Sequence, residues 1–295
     1  MGVLFAFIAM LCFATNIMIT RYAVARMPVE AGFFVVLATN VLFPAILYPI
    51  ELAARSAPLV WQWKGAALFA LGGIIGTFLG RRFLFDAVKI LGPSRASVFH
   101  STAPAFALIG AWMLAGETLG WYEIFLMAIV WTGLWFTQPR AGTKGALSPE
   151  TARSGMFAGL LTVAGFGMGN VLRGLAMRGW EEAVFGTVIA SLAALICQLV
   201  ATRDWATIGR QFQAADRTAI LLYVGCGVAT GAGAIWTAFA MRHLEIALVV
   251  LVVHTTPLVI FPVSVFLLRN REDLTPRTLV GALMVLTGIA LLVLR

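Results

Sequence analysis

Ten apolar runs follow one another along this chain: residues 2–22, 30–52, 64–84, 92–115, 119–138, 154–174, 182–202, 218–239, 245–268 and 276–294. A helix needs about 20 mostly apolar residues to cross the hydrocarbon of a bilayer. Inside hydrocarbon the backbone has no water to bond, so each run must satisfy its own amides, which a helix does. The breaks carry turn or charge signals, such as Arg26-Met27-Pro28, Gly116-Glu117 and Arg203-Asp204. The supply of charge agrees. Only 12% of the residues are charged, against about 25% in a soluble domain, too few to coat a water-facing surface. The expected fold class is therefore an all-α integral membrane protein of ten transmembrane helices. The first run has no basic start and no clear small-x-small cleavage site, so it is expected to stay as a span.

The net charge of +8 does not point to nucleic acid. The basic residues sit in short loops between apolar runs, where membrane proteins place them. Cys12, Cys197 and Cys226 lie inside apolar runs without metal-ligand spacing, and read as small buried hydrophobes. No metal and no cofactor is expected.

The chain also matches itself. At an offset of 153 residues Leu68 meets Leu221, Gly72 meets Gly225, Thr77 meets Thr230, Gly80 meets Gly233 and Pro104 meets Pro257. At 154 Asn16 meets Asn170, and at 155 Glu117 meets Glu272 and Thr132-Gly133 meets Thr287-Gly288. A near-constant offset across glycines, a proline and an asparagine argues for internal duplication. The expected domains are a first five-helix repeat over 1–138, a linker over 139–153 containing Pro139, Gly142, Gly145 and Pro149, and a second five-helix repeat over 154–295. Five is odd, so the second copy enters from the opposite face. Inverted repeats of this kind are a recurring plan of secondary transporters, with substrate bound near the midplane. Glycines four apart, as in Gly72/Gly76/Gly80, Gly155/Gly159, Gly165/Gly169 and Gly227/Gly231, share a helix face and let backbones approach.

With these features the chain resembles the drug/metabolite transporter superfamily, in particular its ten-span EamA-like members. The resemblance rests on the mid-span asparagine opening each half (Asn16, Asn170), the glycine-rich third spans, the Pro–apolar run–Glu pattern of the fourth span (Pro104 to Glu117) and the Thr-Gly pair of each fifth span. The second half inserts two residues before its glutamate, Glu272. Bacterial amino-acid exporters look closest, which implies a multi-pass protein of a bacterial-type inner membrane.

Polar groups inside spans are costly and mark helix contacts or cavities. Those of this chain include Asn16, Asn40, His100, Asn170 and His254. The asparagines suit a polar substrate or a helix–helix hydrogen bond. His100 and His254 each precede a proline, which frees a carbonyl one turn earlier. A histidine there either restores that bond or lines a cavity and takes a proton. Phe78, Tyr223 and Trp236 lie in the third spans of the two halves and are candidates to line a pocket, to pack or to anchor at the interface. Arg81 follows the glycine row and is a candidate for a substrate carboxylate or a snorkelling arginine. The substrate-binding set expected from sequence is thus Asn16, Asn40, Phe78, Arg81, His100, Asn170, Tyr223, Trp236 and His254.

No nucleophile–base motif, no paired carboxylates within a span and no GxxxxGK[ST] occur, which argues against an enzyme and against direct use of ATP. The expectation is a secondary transporter exporting small polar metabolites, amino acids above all, by alternating access through a central cavity between the repeats. Its partners would be that small-molecule substrate and the lipid bilayer, with no nucleic acid, and the protein is expected to act as a monomer. A multidrug or cationic-compound exporter and a membrane-embedded lipid-modifying enzyme are the alternatives.

Overall fold

A computed structural model describes residues 1–55, 58–91, 99, 102–117, 120–137, 149–256, 259 and 276–293. His100, Pro257 and Glu272, singled out above, lie outside the described residues, as does most of the expected linker. The described chain is helical: α1 (Gly2–Ala23), α2 (Val29–Ala54), α3 (Trp63–Gly72) continuing through a π-helical run Gly73–Gly80 into α4 (Arg81–Leu91), α5 (Ala103–Ala115), α6 (Trp121–Thr137), α7 (Pro149–Gly179), α8 (Ala183–Ala201), α9 (Trp205–Ala214), α10 (Arg217–Met241), α11 (Ile246–Val253) and α12 (Pro276–Val293). Among the described residues six stretches are long and apolar enough to span a bilayer: Gly2–Ala23, Val29–Ala54, Trp63–Leu91, Arg153–Gly179, Ala183–Ala201 and Arg217–Met241. Protein covers little of them. Only 28% of the apolar window of Gly2–Ala23 is buried, and 50% in Arg217–Met241. Apolar side chains left outward on that scale are a large hydrophobic surface, and lipid is the solvent that accommodates it.

Two compact units arise, one from residues 1–78 and 172–244, the other from 79–171 and 245–295. In the first, α10 packs on α1 and α2, and α8 packs on α2 and α3. Two clusters hold it. One joins Ala23, Met27, Val36, Ala219 and Tyr223; the other joins Met177, Trp180, Ala190, Ala66 and Phe69. Each of the five residues named in the first cluster stands 153 or 154 positions from one of the five named in the second. Two glycine contacts make the same exchange. Gly32 seats the Tyr223 ring, and Gly186 seats the Phe69 ring, with 154 residues between Gly32 and Gly186 and between Phe69 and Tyr223. The tightest approach is at Gly73, which lies against the backbone of Ala190.

The second unit pairs α5 with α11 and α6 with α12. Pro104 stands in the first turn of α5, where its missing N–H costs nothing, and Gly116 ends that helix at φ 63°, a conformation that favours glycine. The Thr-Gly pairs explain themselves here. Gly133 meets Val285 and the carbonyl of Gly281, while Gly288 meets Val130, so each glycine opens its helix to the other at equivalent positions.

The helix α9 fills the interval between the seventh and eighth expected spans. Asp204 caps it, accepting the Thr207 N–H at 2.9 Å. Thr207, through its side chain and its backbone N–H, holds that carboxyl below the ordinary aspartate range. Ile208 and Phe212 pack onto the Tyr223 cluster, and Trp205 meets Phe34 with ring centroids 5.4 Å apart.

Candidate functional site

One charge of the first unit stands inside a long helix, α7. Arg173 is half-buried there. Its Nη2 donates to Thr77 Oγ1 at 2.5 Å, and Thr77 belongs to the π-helical run. Helical π segments are rare and frequent at functional sites. The sixth apolar run, 154–174, predicts a span that ends beside Arg173 and so puts that charge at the membrane edge. That is corrected: α7 continues to Gly179 and carries its terminal charge on Arg178, so Arg173 stands more than a turn inside. The usable signal was its spacing. Arg173 follows Asn170 by three, and residues three apart share a helix face.

Asn170 donates from Nδ2 to Phe166 O at 3.0 Å, within α7. Asn16 takes a weak bond from Thr20 Oγ1 at 3.4 Å, and Thr20 approaches Cys226 Sγ on α10 at 3.3 Å. Asn40 is buried and accepts from Thr230 Oγ1 at 2.9 Å, which ties α2 to α10. Tyr223 is buried against Gly32 and donates to Met27 O at 3.0 Å, closing the turn after α1. Trp236 sits among Phe5 and Phe239, at 5.3 and 5.8 Å between centroids, between α1 and α10. Phe78 is buried. Arg81 opens α4, inside a continuous helix that runs on to Leu91.

In the second unit His254 Nδ1 meets Val250 O at 2.8 Å. A carbonyl only accepts, so Nδ1 carries the proton in that contact. Thr255 and Thr256 donate to Val252 O and Val253 O at 2.6 and 2.7 Å. The end of α11 is therefore satisfied by its own polar side chains. At its other end, buried Glu117 accepts the N–H groups of Ile246 at 2.7 Å and Ala247 at 3.3 Å. The glutamate of the Pro–apolar run–Glu pattern is thus a helix cap supplied from the turn that follows α5. A carboxylate there also complements the positive helix end.

A second polar cluster closes one end of the first unit. Arg55 Nη2 donates to both carboxylate oxygens of Glu182 at 2.7 and 2.8 Å, and this partner raises the guanidinium pKa above its ordinary value. Tyr48 stacks on Phe185 at 4.8 Å, and Arg55 lies 5.8 Å over the Tyr48 ring. Glu51 Oε2 and Arg55 Nε are buried there without a hydrogen-bond partner. Removing one partner of such a pair leaves the other charge uncompensated. Arg55→Met is expected to cost about 3 kcal/mol, read as a lower thermal midpoint of the purified protein. Lys64→Met is the control outside the pair and should change little.

Helices of this length and outward apolarity define a multi-pass membrane protein. The model of the EamA-like transporter family matches residues 1–138 and 153–294, and the chain belongs to that family, whose members are membrane transporters of small compounds. No curated protein matches it closely enough to count. Solved structures do: 29 chains match. One, described only as a crystal structure of a protein, is 20% identical, covers 99% of this chain and 98% of its own, and superposes with a TM-score of 0.75. At that identity the likeness shows the fold alone.

Proposed function

We propose that this member of the family is a secondary transporter that exports small polar metabolites, amino acids foremost, across a bacterial-type inner membrane by alternating access. In this reading ten spans form two inverted repeats, 1–138 and 154–295, that bind the solute between them. One observation carries it: the glycine contacts are reciprocal. Exchanging the halves converts Gly32–Tyr223 into Gly186–Phe69 and Gly133–Val285 into Gly288–Val130. A two-fold operation relates contacts in this way, and a two-fold in the membrane plane is the plan of transporters with a midplane site. Polar groups held within the spans support a polar solute. No protein group is bonded to Asn16 Nδ2 or Asn170 Oδ1 among the described residues, which leaves an amide donor on one and an acceptor on the other.

Counterflow into liposomes against a panel of amino acids tests the function. Exchange of at least one labelled amino acid is expected, and no exchange across the panel would retire the substrate class. Asn16→Leu and Asn170→Leu test the site. Losing one good hydrogen bond to a charged solute group corresponds to about 1.5–3 kcal/mol, roughly 10- to 150-fold in affinity. At least one variant is expected to bind more weakly, by about fivefold or more on that scale, while staying monodisperse. Wild-type affinity in both would remove the asparagines from the site.

A further inference from the structure

Resting on the transporter reading, we propose that Arg173 is the anchor for an anionic group of the solute, a carboxylate first of all, and that Thr77 aims it. The case begins with what surrounds the guanidinium. Its hydrogen bond among the described residues goes to a neutral hydroxyl, Thr77 Oγ1. The described carboxylates of the same unit stand at helix ends, Glu30 in the first turn of α2 among them. Glu182 pairs with Arg55, Glu181 with Arg242 and Asp216 with Arg26. Asp204 caps α9, and Glu51 stands one turn from Arg55 at the end of α2. An arginine at the centre of a span costs about 2.5–3.5 kcal/mol even when it inserts, and intramembrane arginines normally pair with an acid or reach the interface. Among the described residues no carboxylate is bonded to Arg173, whose hydrogen bond goes to Thr77.

The donors themselves point the same way. A guanidinium presents five N–H groups in a planar fork. One edge serves Thr77. The side chain keeps part of its surface accessible, which leaves room for a ligand at the rest of the fork. A fork with one edge fixed and room at the rest suits bidentate capture of a carboxylate. If the Thr77 bond were the whole purpose, a neutral donor would do it at less cost. The π-helical run places Thr77 at the point where α3 gives way to α4. Asn170 lies one turn earlier on the same face of α7, and its Oδ1 can accept from an ammonium or hydroxyl group.

The test uses the full-length protein in detergent and in liposomes, with two readouts. Binding of sodium salts of amino acids is measured by ligand-induced thermal shift, beside the matching amino-acid amides, which keep the amine and lack the charge. Wild type should bind carboxylates and not the amides. Arg173→Gln should lose about 10- to 150-fold in affinity, Arg173→Lys should recover part of it, and Thr77→Ala should weaken binding less than Arg173→Gln because the charge remains. The lysine and alanine variants keep the test open if the glutamine variant fails to fold. Equal binding of acid and amide, or wild-type affinity in Arg173→Gln, would overturn the proposal. Wild type that binds none of the carboxylates would overturn it too. Arginine-dependent binding without counterflow would keep the anchor and reject the transporter reading. Counterflow indifferent to Arg173 would do the reverse.

Discussion

Gly73→Val is expected to leave almost no folded protein in the membrane. At this position α3 passes α8 so closely that a Cβ would overlap the carbonyl and Cα of Ala190. Both obstacles are backbone, so no rotamer change relieves them. The helices would have to separate, and the second cluster, with Phe69, Trp180 and Ala190, would part with them. Overpacking typically costs 1–3 kcal/mol and more where nothing can move, so a loss above about 3 kcal/mol is expected. Fluorescence-detected size-exclusion chromatography of a tagged protein reads the outcome as loss of the monodisperse peak. Gly209→Ala is the internal contrast. Nothing lies within 4 Å of a Cβ there, and it occupies an exposed helix interior, so its peak should be unchanged or stronger. A normal peak for Gly73→Val would mean that the crossing is looser than described.

Glu117→Ala is expected to be nearly as damaging, for an electrostatic reason. Glu117 is 5% exposed, and its two oxygens receive the first backbone donors of α11. Hydrogen bonds to a charged group contribute about 1.5–3 kcal/mol each, and a buried donor left unmade adds its own cost. The alanine variant should lose about 4 kcal/mol in all. Glu117→Gln keeps a single acceptor oxygen and should fall between. The order Glu, Gln, Ala in thermal midpoint checks the assignment. Gln and Ala behaving alike would show that charge rather than acceptor geometry matters at the end of α11.

Much of the helix pattern was legible because hydrocarbon imposes a length. The expected runs 2–22, 30–52, 182–202 and 218–239 correspond to helices Gly2–Ala23, Val29–Ala54, Ala183–Ala201 and Arg217–Met241. The misses share a cause. Hydropathy falls after Gly80, so the third run was ended at 84, yet Arg81, Arg82, Asp86 and Lys89 continue the helix to Leu91. The helix α9 is amphipathic, with Trp205, Ile208 and Phe212 on one face, and a search for apolar runs passes over it. Glycine rows were readable as places of close approach. Gly155 does meet Leu91, and Gly227 meets Thr39, but the tightest contact fell on Gly73, next to the row rather than in it. The roles of conspicuous side chains were less readable. Tyr223 holds a turn carbonyl and Glu117 caps a helix from 129 residues away, contacts that depend on which helices become neighbours. Arg173 was obscured because one charge near the end of an apolar run looks the same whether it marks the membrane edge or lies within it.

Neither compact unit is the product of one half of the sequence. Residues 1–78 need 172–244, and 79–171 need 245–295. A gene encoding only five such helices could have built neither unit from a single polypeptide; two molecules would have had to exchange helices, each lending the other the partners for its glycines. On the proposed duplication, fusion would have made a permanent bond out of an encounter between copies, and would have let Arg173 arise on one side while Ile19 stands at the equivalent position on the other.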